Sequence, residues 1–223
     1  MAERVSIYID GGNFYHLTLK KMGFHEPDFD FEGFANFLIG GREVSQMGKR
    51  YYTGTVRERE GDSRSVEAMA RQGKVFTKLI GAGWQLKTSK LRERTEVIAV
   101  NPRMEHYKIL KKAGVTEVKI TRQREKGIDV KIATDLLVGA MDNRYDTAIL
   151  VSSDSDLIPA IDCVRLKLKK RVEYVGFSIN DPKKPGIPEY STKPTFALIA
   201  RTDKQRILVD TDLLPFTQAE IIM

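Results

Sequence analysis

Residues 146–157 read Asp-Thr-Ala-Ile-Leu-Val-Ser-Ser-Asp-Ser-Asp-Leu, and they restrict the fold more than any other stretch. Ala148 to Val151 are apolar without a polar break. Such a run suits a strand covered on both faces, as in a mostly parallel sheet, because a strand with one wet face alternates. The run ends in two serines and two aspartates. In open α/β sheets the ligand crevice lies beyond the carboxyl ends of the strands, so Asp154 and Asp156 are carried towards it. The start of the chain repeats the pattern: Val5 to Ile9 is strand-like, and Asp10-Gly11-Gly12-Asn13 follows at once. The expectation is that these two strand ends meet and hold a divalent metal.

The rest of the chain supplies a frame for that meeting. Strands are expected at 5–9, 49–56, 84–88, 147–151 and 172–177. Helices are expected between them at 14–22, 31–38, 66–82, 128–141 and 157–168, with Asn13 as the cap of the first. This alternation predicts an α/β fold, a mostly parallel central sheet flanked by helices on both faces. Phe34, Phe37 and Leu38 share one helix face. Val66, Met69, Ala70, Val75, Leu79 and Ile80 supply the apolar positions of the 66–82 helix. Residues 91–126 are less regular and read as a two-stranded excursion, with strands near 96–100 and 117–121 and a helix or loop between. A proline-rich loop follows residue 180, then a short helix at 194–202 and a strand at 206–209.

Asp129 opens the helix that leads into the 147–151 strand. At about 100° per residue, Asp129, Ile132, Ala133, Leu136, Leu137 and Ala140 fall in one stripe. A charge heading a buried stripe needs a partner such as a cation. Asp135 lies off that line and is the weaker candidate. Asp10, Asp129, Asp154 and Asp156 can thus converge at one sheet edge. Four like charges in a partly dry pocket repel, and a hard divalent cation resolves this; Mg²⁺ or Mn²⁺ suits oxygen donors. The plainer alternative for each acid is turn or cap chemistry.

Composition excludes several classes. A hydrophobic fraction of 41% supports a packed core, and the single cysteine, Cys163, rules out an intrachain disulfide. No stretch is long and apolar enough for a signal peptide or membrane span, so a soluble cytoplasmic protein is expected. His16, His25 and His106 show no zinc spacing. Phosphate-loop, dinucleotide and nucleophile-elbow motifs are missing. The net charge is +7, and residues 92–126 carry ten Lys/Arg against five Asp/Glu. A basic stretch beside an acidic pocket fits a polyanionic substrate. Arg92, Arg94, Arg122, Arg124 and Lys126 are the candidate contacts to such a backbone.

Tyr8-Ile-Asp-Gly-Gly-Asn13, Lys126-Gly-Ile-Asp-Val130 with Thr134-Asp-Leu136, and Leu150-Val-Ser-Ser-Asp-Ser-Asp-Leu157 together resemble the NYN domain, in the LabA-like branch of the PIN-like nucleases. The resemblance covers roughly residues 1–178. It leaves 179–223 as an extension whose helix and strand pack on the same domain. It implies a PIN-like three-layer fold, a ribonuclease site using Mg²⁺ or Mn²⁺, single-stranded RNA as substrate, and products with a 5′-phosphate. It puts Asp10, Asp129, Asp154 and Asp156 among the metal-binding acids, with Asn13, Ser152 and Ser153 as polar support. Ser153 stands where the family often has glycine. An acid from an early helix is also common there; Glu67 and Glu32 are the nearest candidates here. The alternative is a non-catalytic RNA- or protein-binding module on the same fold. A third reading takes Asp154-Ser-Asp156 as the Asp-x-Asp motif of a glycosyltransferase. A homo-oligomer is compatible with all three.

Overall fold

In the computed structural model the described residues are 2–56, 62–125, 127–180 and 191–217, with 91–94 and 121–125 described by their backbone. The strands are β1 (Arg4–Asp10), β2 (Glu43–Thr55), β3 (Gln85–Ala99), β4 (Glu117–Glu125), β5 (Thr147–Val151), β6 (Arg171–Ser178) and β7 (Lys204–Val209). They form one sheet in the order β4-β3-β2-β1-β5-β6-β7. All neighbours pair in parallel except β4, which runs antiparallel to β3. The helices are α1 (Gly11–Phe14), α2 (Lys20–Met22), α3 (Phe31–Ile39), α4 (Ser63–Gly81), α5 (Tyr107–Lys112), α6 (Ile128–Met141), α7 (Ile158–Asp162), α8 (Phe196–Arg201) and α9 (Asp210–Leu213). A π-helical turn, Tyr15–Leu19, joins α1 to α2 without a break.

Three layers follow from strand alternation, since successive side chains point to opposite faces. Val5, Ile7 and Ile9 of β1 pack with Phe14, Phe34, Leu38, Val75 and Leu79 on one face. Tyr8, Ala148 and Leu150 pack with Ile132, Leu136, Ile161 and Leu198 on the other. The expected α/β architecture is therefore the observed one. Among the described residues no helix is long and apolar enough to cross a membrane.

The differences from expectation have local causes. β3 is one strand from Gln85 to Ala99, because its second half pairs with β4 and needs no place in the central sheet. β2 starts at Glu43 and reaches the predicted 49–56 segment through an irregularity in its pairing with β1. Met47 sits at that irregularity with φ 54°. In α4 only Val75 and Leu79 of the predicted apolar set are buried; Val66, Met69 and Ile80 face solvent. Phe37 likewise points away from Phe34 and Leu38 and is half exposed. β7 pairs with β6 from Glu173↔Lys204 to Ser178↔Val209, so the C-terminal segment enlarges the same sheet.

Candidate functional site

β1 and β5 are adjacent and in register from Val5↔Thr147 to Ile9↔Val151. The two strands therefore leave the sheet side by side, one as Asp10 and the other as Ser152. Asp10 caps α1: its Oδ1 accepts the Asn13 N–H at 3.0 Å. This corrects the expected cap at Asn13. The helix begins directly at Gly11, so Asn13 lies inside the first turn and its side chain is released for other work. Asn13 Oδ1 accepts the Ser153 N–H at 3.0 Å and ties the two strand ends together. The Ser152 hydroxyl donates to Asp10 Oδ2 at 3.2 Å, and Ser152 Oγ accepts the Asp154 N–H at 3.2 Å. Asp154 Oδ1 in turn accepts the Asp156 N–H at 2.9 Å, capping the 3₁₀ turn Ser155–Leu157. Thr195, just before α8, donates its hydroxyl to the Ser153 carbonyl at 2.8 Å.

The third acid arrives from α6. Gly127 takes φ 81°, a left-handed turn that L side chains adopt at a cost of about 1–2 kcal/mol. This turn sets Asp129 in the first turn of α6, above buried Ile132 and Leu136. Asp10, Asp129 and Asp154 line one cleft of about 480 Å³, with Gly12, Asn13, His16, Leu17 and Ile128. Asp10 is 8% exposed. Burial pushes its carboxyl up to about 6, and repulsion from Asp154 and Asp129 adds to that; the hydrogen bonds from Asn13 and Ser152 oppose it. Among the described residues no lysine or arginine forms an ion pair with Asp10, so the charge is set facing like charges.

The structure does not gather the other candidates here. Asp156 is exposed, one turn beyond Asp154, and is not part of the cleft lining. Asp135 points the other way round α6. Its Oδ2 accepts the Tyr52 phenol at 2.8 Å and lies 3.7 Å from Lys87 Nζ, because β2 and β3 pass beneath that side of the helix. Asp135→Asn is therefore expected to lower stability by about 1–2 kcal/mol and to leave any activity within about two-fold; thermal melts beside activity assays check this. Glu32 holds Lys49 at 2.8 Å and the Trp84 indole N–H at 2.8 Å, a structural role. Glu67 pairs with Arg71 on the surface of α4. Neither reaches the cleft. Ser153 contributes its backbone, while its buried hydroxyl has no hydrogen-bond partner. Lys126 lies outside the described residues, as do the side chains of Arg92, Arg94, Arg122 and Arg124 on β3 and β4. Sequence reasoning missed His16 and Leu17. Gly12 and His16 are one helical turn apart, which was a usable signal. Thr195 had none, being 42 residues from its partner.

Four converging carboxylates were expected. Three line the cleft, and among the described residues no group of three His, Cys, Asp or Glu is close enough to enclose one ion. That arrangement does not suit a closed protein cage. It does suit Mg²⁺, which binds through one or two carboxylates and keeps waters and substrate oxygens as its remaining ligands. The all-oxygen donor set, and a buried acid repelled by two neighbours, fit the same ion.

Comparison with known proteins agrees with this geometry at the level of fold and family. No curated protein matches the chain. A crystal structure of a protein of unknown function from Vibrio parahaemolyticus is similar, with a TM-score of 0.51, 18% sequence identity and 93% of each chain covered. The sequence model of the NYN domain matches residues 4–192, from the first residue of β1 to beyond β6. That family is generally ribonuclease-like and divalent-metal dependent. The chain belongs to the NYN domain family.

Proposed function

We propose that this protein is a metal-dependent ribonuclease of the LabA-like branch, hydrolysing phosphodiester bonds of single-stranded RNA in the cytoplasm. Asp10 and Asp154 would hold Mg²⁺ or Mn²⁺, and Asp129 would complete the set through a bound water. A divalent cation, when bound, supplies Lewis-acid stabilisation for charge growing on the phosphoryl oxygens and acidifies the attacking water. The chain's own part is positional. Ser152 holds Asp10 and the Asp154 backbone in one relation, and Asn13 locks the second strand end to the first helix. Asp129 closes the cleft from α6 and adds negative potential.

Asp10 carries this reading. A carboxylate 8% exposed, raised to about 6 and facing two more acids, destabilises the fold unless a cation or proton meets it. The early-helix acids favour a second reading, a non-catalytic RNA-binding module, because Glu32 and Glu67 are held elsewhere and do not line the cleft. Incubation of the pure protein with end-labelled single-stranded RNA separates the two. The ribonuclease yields shorter products with Mn²⁺ and none with a chelator. Retention of RNA without cleavage in either condition supports the binding module.

A further inference from the structure

A second cavity, of about 230 Å³, adjoins the acid cleft. Gly12 and His16 line both, so the two spaces share a wall. The remaining surround of the second cavity includes Tyr15, His25, Glu26, Arg71 and Gln72. Tyr15 and His16 come from the π-helical turn, and their rings lie 5.3 Å apart at 63°. π turns of this kind are frequent at functional sites. Gln72 is already committed: its Nε2 donates to the Gly54 carbonyl at 2.8 Å and its Oε1 accepts the Val56 N–H at 2.9 Å. It is a wall.

Glu26 is different. Its Oε1 accepts the Tyr51 phenol at 2.6 Å, which fixes the carboxyl group. Tyr51 packs against Gly11, the residue after Asp10, so the two sites are mechanically joined. Burial raises the Glu26 carboxyl above its ordinary value, and the Tyr51 hydrogen bond only partly opposes this. A ligand with N–H donors would favour the charged form. Arg71, which lines the same cavity from α4, pairs with Glu67 at 3.6 Å and has a side chain 42% exposed.

We infer that this cavity receives the base of the nucleotide next to the scissile phosphate, and that it prefers guanine. The inference rests on the proposed ribonuclease reading for the phosphate position. Single-stranded RNA is read by splaying bases onto aromatic side chains and pairing their edges with polar groups. Tyr15, His16 and His25 supply the rings. An ionised carboxylate accepts only. Guanine offers it two adjacent donors, N1–H and N2–H. Adenine and cytosine each offer one amino group beside a ring acceptor, and uracil offers N3–H between two carbonyls that repel a carboxylate. The other edge of guanine, O6 with N7, matches an arginine.

The test measures binding of 5′-GMP, AMP, CMP and UMP to the full chain by calorimetry without metal. GMP is expected to bind at least about ten-fold more tightly than the others, and Glu26→Gln to remove most of that margin. Equal affinities, or a margin unchanged in Glu26→Gln, overturn the inference. If Glu26→Gln fails to fold, inosine monophosphate decides on the native chain, because it lacks the N2 amino group. Weaker binding than GMP supports the inference, and equal binding overturns it. RNA cleavage without guanine preference sinks the base site and leaves the ribonuclease reading standing. Selective GMP binding by a protein that cleaves nothing supports the base site and sinks the ribonuclease reading.

Discussion

Asp154→Asn is expected to reduce metal-dependent RNA cleavage by at least about 10²–10³-fold, the scale of several kcal/mol of lost charge stabilisation. The fold should survive, because Asn Oδ1 can still accept the Asp156 N–H that Asp154 accepts now. Asp10→Asn should abolish cleavage to a similar degree and in addition stabilise the metal-free protein. The sign follows from proton linkage. The folded-state value of Asp10, about 6, lies above the unfolded 3.8, so the folded state binds more protons between these values. Stability without metal therefore falls as pH rises through that window. Above it, the ionised acid costs the fold up to about 3 kcal/mol. Asn carries no charge and can still accept from the Asn13 N–H. Denaturation in a chelator should show Asp10→Asn more stable by about 1–3 kcal/mol at pH 7, with the difference closing near pH 4. A variant less stable than the parent at pH 7 would mean that Asp10 is a structural cap and no more. Activity gained at the expense of stability is the usual signature of a working acid.

Gly11→Ala should be the most damaging small change outside the acids. Its φ is unremarkable; the difficulty is space. A Cβ there would overlap the Tyr51 ring, and that ring is 1% exposed and packed at 75° against Phe31 with centroids 5.1 Å apart. A rigid, enclosed ring cannot swing aside, so the backbone or the ring must shift, at about 1–3 kcal/mol. For a chain of this size that lowers Tm by about 3–10 °C. Two functional losses should accompany it. Displacing Tyr51 frees Glu26, and displacing Gly11 moves the α1 turn that aligns Asp10 with Asn13. Scanning calorimetry with an activity assay reads both. A fall in Tm with full activity would separate Gly11 from the site; no fall at all would mean that the ring is loosely held.

How much of this was legible in sequence depended on whether the signal was local. Asp10 and Asp154 were visible because each ends an apolar strand, and a parallel sheet sends such ends to one edge. Asp129 was visible because it heads a stripe that ends in buried Leu136 and Ala140. Asp135 was harder, since its fate is set by Tyr52 and Lys87 on strands more than forty residues away. Asn13 reads as a cap because two glycines suggest a turn before the helix; the pair Gly11-Gly12 instead forms its first turn. Glu26 carried no local mark at all. It opens the short 3₁₀ turn Glu26–Asp28, next to Pro27, and only the Tyr51 phenol and the neighbouring face of α4 give it a setting. Val66, Met69 and Ile80 show the limit of periodicity: they follow a helical pattern but face solvent.

The central claim is that Asp10 and Asp154, supported by Asp129, share one divalent cation. Anomalous diffraction from crystals soaked in Mn²⁺ tests it most directly. A single strong peak is expected within about 2.0–2.4 Å of carboxylate oxygens of both Asp10 and Asp154, lost in Asp154→Asn. A peak elsewhere on the protein, or none in the cleft at saturating Mn²⁺, would contradict it.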